Sequence, residues 1–106
     1  MGKVYRVGSR AFPTKAAVTE HVSAILNAAS IDTEVTGEDV LILYDLLALR
    51  KDKLAEIGSR EVVGFERGEQ PGSMKRTRCF WALLDDGAKI DMSVYKAIRL
   101  LDPTCG

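Results

Sequence analysis

An α+β fold, one small domain with an antiparallel sheet packed on helices, follows from three observations. Apolar residues recur at helical spacing between Lys15 and Leu49, the period changes to two after Arg60, and Asp86-Gly87 separates two β-prone runs. The expected order is β-α-α-(α)-β-β-β-α over residues 1–106, because 106 residues suit one core and not two.

The elements follow in turn. The run KVYRV, from Lys3, favours a strand. Phe12 and Pro13 hold the backbone extended, so that Thr14 caps a first helix from about Lys15 to Ala29. Val18, Val22, Ile25, Leu26 and Ala29 form its apolar face. Thr36 with Asp39 three residues on resembles a capping box for a second helix, about Glu38 to Leu49. Its expected core face is Val40, Leu43, Tyr44 and Leu47, widened by Leu41, Leu46 and Leu49. RKDKLAEIG reads as a charged turn and a short third helix that Gly58 ends.

From Arg60, Val63 and Phe65 alternate with polar or small neighbours as a strand, and RGEQPGSMK is a loop rich in breakers. Thr77 to Leu84 and Lys89 to about Met92 form a hairpin, and Ser93 caps a last helix through Leu101. Two hairpin registers are open. A two-residue Asp86-Gly87 turn sets Leu83 against Ile90 and Trp81 against Met92. This buries Trp81 against the leucine-rich helix and leaves Lys89, Asp91 and Ser93 on the polar face. A three-residue turn sets Phe80 against Met92 instead. The first is preferred because Asp-Gly is the strongest short hairpin signal.

Charges balance at 15 basic and 15 acidic residues, and the two halves differ by about one unit each way, so no general affinity for polyanions follows and any nucleic-acid surface must be a local patch. The two cysteines, Cys79 and Cys105, lack metal-pair spacing and disulfide-scaffold density, which suits a reducing compartment. With no apolar leader and no run approaching ~18 apolar residues, a soluble cytoplasmic protein, monomeric and away from membranes, is expected.

Residue chemistry offers three candidate sites. His21, the only histidine, and Cys79 form an arithmetical Cys-His pair, but each lies in an apolar pattern and reads as packing. Asp85, Asp86 and Asp91 could hold a hard cation for phosphodiester hydrolysis. However, no acidic residue stands two positions before a lysine, and Asp86 is explained by the turn. The third is basic: Lys75, Arg76, Arg78 and Lys89, with Lys96 and Arg99 at helical i, i+3 spacing, could join sheet edge and helix into one phosphate-binding surface. No catalytic residue, metal ligand or cofactor is expected.

Phe12, Thr14 and Lys15, Ile25 and Leu26, Ile57 and Gly58, Arg78-Cys79-Phe80, Asp86-Gly87, and Asp91-Met92-Ser93 with Lys96 together resemble the DUF3223 family. That family is also known as DCL, after a plant protein named for defective chloroplasts and leaves. The resemblance spans about Phe12 to Ile98 and suggests a bacterial stand-alone copy. Met92, Val94 and Ala97 stand where the family usually has Phe, Tyr and Cys, leaving Tyr95 as the nearby aromatic. The resemblance implies association with RNA, since plant members act in chloroplast ribosomal RNA maturation and the domain ends the largest subunits of plant-specific RNA polymerases. It transfers no catalytic residue. The expectation is a non-catalytic RNA-associated accessory domain that binds RNA, a ribonucleoprotein or a polymerase partner. The alternatives are a protein-docking module and, third, a metal-dependent nuclease.

Overall fold

The structure is a computed structural model that describes residues 3–69, 78–92, 94–101 and 104–105. Its elements are β1 (Lys3–Val7), β2 (Arg10–Phe12), α1 (Lys15–Asn27), α2 (Glu38–Ala48), α3 (Lys51–Ile57), β3 (Val62–Glu69), β4 (Arg78–Leu84), β5 (Lys89–Asp91), α4 (Val94–Arg99) and β6 (Thr104–Cys105). They form two antiparallel three-stranded sheets, β2-β1-β6 and β3-β4-β5. The α+β class and the order of the principal elements match the sequence reading. β2 and β6 are additions, and they make a small second sheet from the two ends of the chain.

Thr14 caps α1 as its sequence predicts, its Oγ1 accepting from Ala17 N at 3.0 Å. Val18, Val22, Ile25 and Leu26 are buried. The capping box expected ahead of α2 does not form. Gly37 is the N-cap at φ +72°, a conformation that favours glycine, and no side chain caps the helix. The core face of α2 is also rotated from the expected one. Ile42, Leu43, Leu46 and Leu47 are buried, whereas Leu41 and Tyr44 are exposed. The reason lies far away in sequence: Gly8, in the β1–β2 turn, sits on Ile42 so closely that a Cβ there would stand 2.9 Å from Ile42 N. Gly8 N also donates to Asp45 Oδ2 at 2.6 Å. Tyr44 keeps its hydroxyl near water while donating to Val62 O, and its ring meets Phe65 edge-on at 5.3 Å.

The larger sheet departs from expectation at two points. Val62 pairs with Leu84 and Gly64 with Leu83, so Val63 is a bulge residue, 64% exposed, and does not share the core face with Phe65. The hairpin takes the three-residue turn: Trp81 pairs with Asp91, Ala82 with Ile90 and Leu83 with Lys89. Leu84 N donates to Ala88 O at 2.9 Å and Met92 N to Phe80 O at 3.3 Å. Gly87 at φ +87° and Asp86 Oδ1, which accepts from Ala88 N at 3.0 Å, stabilise this longer turn and outweigh the preference for a two-residue one. A shift of one residue reverses every face. Phe65, Phe80, Ala82, Leu84, Ile90 and Met92 therefore point inward onto α1 and α2, while Cys79, Trp81, Leu83, Lys89 and Asp91 point outward.

Two inward positions are arginines. Arg67 is buried, with its Nε donating to Ile25 O at 2.7 Å and its Nη1 to Thr33 Oγ1 and Glu34 O, both at 3.3 Å. Arg78 Nη1 donates to Leu26 O at 3.2 Å and to Ala29 O at 2.8 Å. The last carbonyls of α1 are thus answered from the sheet.

The inverted register sets the expected mutational costs. Phe80→Ala should cost about 3–5 kcal/mol, while Trp81→Ala, at a partly buried position on the outer face, should cost less, about 1–2 kcal/mol. Chemical denaturation measures both, and the reverse ranking would contradict the register. Arg67→Leu should lose about 1–3 kcal/mol for each carbonyl left buried and unpaired, and Arg67→Lys should not restore it, because an ammonium lacks the planar fork.

Candidate functional site

β3 contributes two glycines, Gly64 and Gly68, to the outer face of β3-β4-β5. At Gly68 a Cβ would stand 2.5 Å from Trp81 Cδ1 and 2.6 Å from its Nε1, so the indole lies directly over that backbone. The segment before α2 runs along the edge of β3. Asp32 N donates to Arg67 O at 2.6 Å, Arg67 N to Thr33 O at 2.8 Å and Val35 N to Phe65 O at 2.8 Å, with Glu34 bridging Glu66. Asp32 turns there at φ +67°, a left-handed conformation that Asp tolerates better than most residues. Its carboxylate is thereby carried to the rim.

The result is an open pocket of about 520 Å³ lined by Ile31, Asp32, Glu66, Gly68, Glu69, Trp81 and Lys89. The carboxylates of Asp32 and Glu66 against the Lys89 ammonium leave one net negative charge beside the indole, while Glu69 pairs with Arg78 at the end of β3 and closes the pocket there. Lys89 is ion-paired with Glu66 across the sheet. That hydrogen bond, with the Glu66 and Asp32 charges adding, holds the ammonium above the usual lysine range.

The sequence-derived candidates are dispersed. Lys75, Arg76 and Ser93 lie outside the described residues. Arg78 turns inward to the end of α1, and Lys89 is held by Glu66 on the outer face. Lys96 and Arg99 are exposed on α4, which packs on α1 and α2 on the other side of the sheet, where Lys15 Nζ donates to Arg99 O at 2.9 Å. The described basic residues therefore do not make one continuous hairpin-and-helix surface. Tyr95 is exposed beside them, its hydroxyl 2.9 Å from Ser23 Oγ.

The remaining candidates divide in the same way. His21 packs on Phe12 at 5.4 Å between centroids, with Nε2 3.7 Å from Asp39 Oδ1, on the helical side. Cys79 is on the outer face of the sheet, so the two do not meet as nucleophile and base. Burial pushes the Cys79 thiol up to about 11, with the Asp91 charge adding. The Asp86 carboxyl is held below the usual range by the Ala88 N–H and by Arg60, whose Nη1 is 3.2 Å from Oδ2. Among the described residues, no group of three or more His, Cys, Asp or Glu side chains is placed to hold a metal ion.

Sequence reasoning missed the pocket because the two-residue turn places Trp81 inside. With the three-residue turn, the alternation of β4 and β5 brings Trp81 and Lys89 to one face, and that was the available signal.

Comparisons with known proteins agree with this architecture. No curated protein matches the chain. The solution NMR structure of an uncharacterised protein from Rhodospirillum rubrum is similar, with a TM-score of 0.76 and 25% sequence identity, covering 92% of this chain and 89% of that one. A family model described as "Protein of unknown function (DUF3223)" matches residues 23–98, from within α1 to the end of Ile98 in α4. The match takes in the arginine-capped end of α1 and all three strands β3, β4 and β5, and the chain belongs to the DUF3223 family.

Proposed function

We propose that this domain is a non-catalytic protein-docking module that engages its partner through the outer face of β3-β4-β5. The observation that carries this reading is the pocket in which Trp81, lying on Gly68, is flanked by Asp32, Glu66 and Lys89. An aromatic side chain set in a concave polar rim is the composition of an interface centre. Net negative charge there opposes the phosphates of RNA. The thiol of Cys79, raised to about 11, is protonated at neutral pH and is a poor nucleophile, which supports a non-catalytic role. A cytoplasmic location belongs to the same proposal and accords with Cys79 as a free, buried thiol.

A second reading, RNA association through α4, is favoured by the exposed Lys96 and Arg99 beside Lys15. The family resemblance suggests a polymerase or a ribosome-assembly factor as the docking partner. It likewise suggests ribosomal RNA maturation for the RNA reading.

Cross-linking in the native cell, with bound protein and bound RNA resolved separately, tests the choice. The docking reading expects a protein partner that is lost from Trp81→Ala but kept by a Lys96→Glu, Arg99→Glu double variant. The RNA reading expects bound RNA with the opposite dependence on these variants, and an affinity falling with salt at a slope of about −0.7 per phosphate contact.

The thiol gives a separate prediction. A folded-state value of about 11 against an ordinary 9.0 means that the folded protein keeps a proton that the unfolded chain releases. Stability from this group is complete below the ordinary value and is lost as pH rises towards the folded one. Between about pH 8 and about pH 11 the wild type should therefore lose stability faster than Cys79→Ala, as read by the difference in their denaturation midpoints.

A further inference from the structure

We propose, building on the docking reading, that the outer-face pocket takes one arginine side chain from an extended basic segment of a partner protein. Its guanidinium would lie against Trp81 and pair with Glu66. Charge selects a cation, because the carboxylates of Asp32 and Glu66 outnumber the single Lys89 ammonium between them. The indole selects a planar, weakly hydrated cation over a compact one, since guanidinium stacks on an aromatic ring while presenting a fork to a carboxylate. Gly68 lets the indole lie directly on the β3 backbone with no side chain between them, and the ring so held lines the pocket.

The intramolecular pair already outlines the contact. Lys89 reaches Glu66 across the sheet and occupies the carboxylate that the incoming guanidinium needs. Lys89 is thus an internal competitor, which keeps Glu66 neutralised in the free protein and is displaced on binding. Relief of that competition is the mark of this arrangement: removing Lys89 should tighten binding, whereas losing a merely structural ion pair would weaken it or leave it unchanged.

The probe is a capped Gly-Arg-Gly-Arg-Gly peptide titrated into the intact protein, followed by amide and indole NMR shifts. The same peptide with citrulline for arginine, and oligouridylate, serve as controls. Saturable shifts should centre on the Trp81 indole and the Gly68 and Glu66 amides, weaken with salt, and be absent with citrulline. Glu66→Gln should weaken binding several-fold and Lys89→Ala should strengthen it several-fold. Both variants should still unfold in one cooperative transition, so that the changes in binding are read on a folded domain.

Equal binding of the citrulline peptide, the same shifts with oligouridylate, weaker binding by Lys89→Ala, or no binding by either wild type or Lys89→Ala would each overturn the inference. If arginine binding fails while a cellular protein partner is still lost from Trp81→Ala, only the choice of arginine falls. If that partner is also unaffected by Trp81→Ala, the docking reading falls with it.

Discussion

The last turn of α1 lays its Ile25 and Leu26 side against the sheet, where their carbonyl groups are turned from water. The sheet supplies the donors: Arg67 from β3 and Arg78 from β4 reach Ile25, Leu26 and Ala29. A buried guanidinium needs oxygen partners, and a helix C-terminus offers partial negative charge, so each side removes the other's desolvation problem. This exchange settles which strand positions face inward. Once Arg67 and Arg78 point to the helix, alternation sends Gly68, Glu66, Cys79 and Trp81 to the other side. The helix cap and the pocket are therefore opposite faces of one constraint.

Much of the fold was legible because its signals are local. The helical period over Val18, Val22, Ile25 and Leu26, the Thr14 cap and Gly58 after α3 each act within a few residues, and each appears in the structure. What was not legible depended on distant partners. Ile42 rather than Tyr44 enters the core because the Gly8 turn settles on it, and no periodicity within α2 encodes that contact. Val63 is expelled by a bulge whose register is set by Leu83 and Leu84 on the neighbouring strand.

The site illustrates the same division. Arg78, Phe80, Asp86 and Gly87, which carry much of the family resemblance, serve the helix cap, the core and the turn. A basic residue in a sequence has no direction, so Arg78 read as surface charge when it is internal wiring. The pocket joins Asp32, which precedes α2, to Glu66 and Trp81, which follow α3, and only the pairing of the 32–35 segment along β3 brings them together.

The first strand of the chain pairs with the last, Lys3 beside Cys105 and Val4 beside Thr104. The first and last described strands thus lie side by side in the small sheet. Such a unit can be grafted into a surface loop of a host protein without stretching the insertion point, because the host needs to span only an interstrand distance of about 5 Å. It can equally be re-threaded with new ends elsewhere once a short linker joins the old ones. The small sheet thus makes the domain portable, with the outer face of the larger sheet carried along intact.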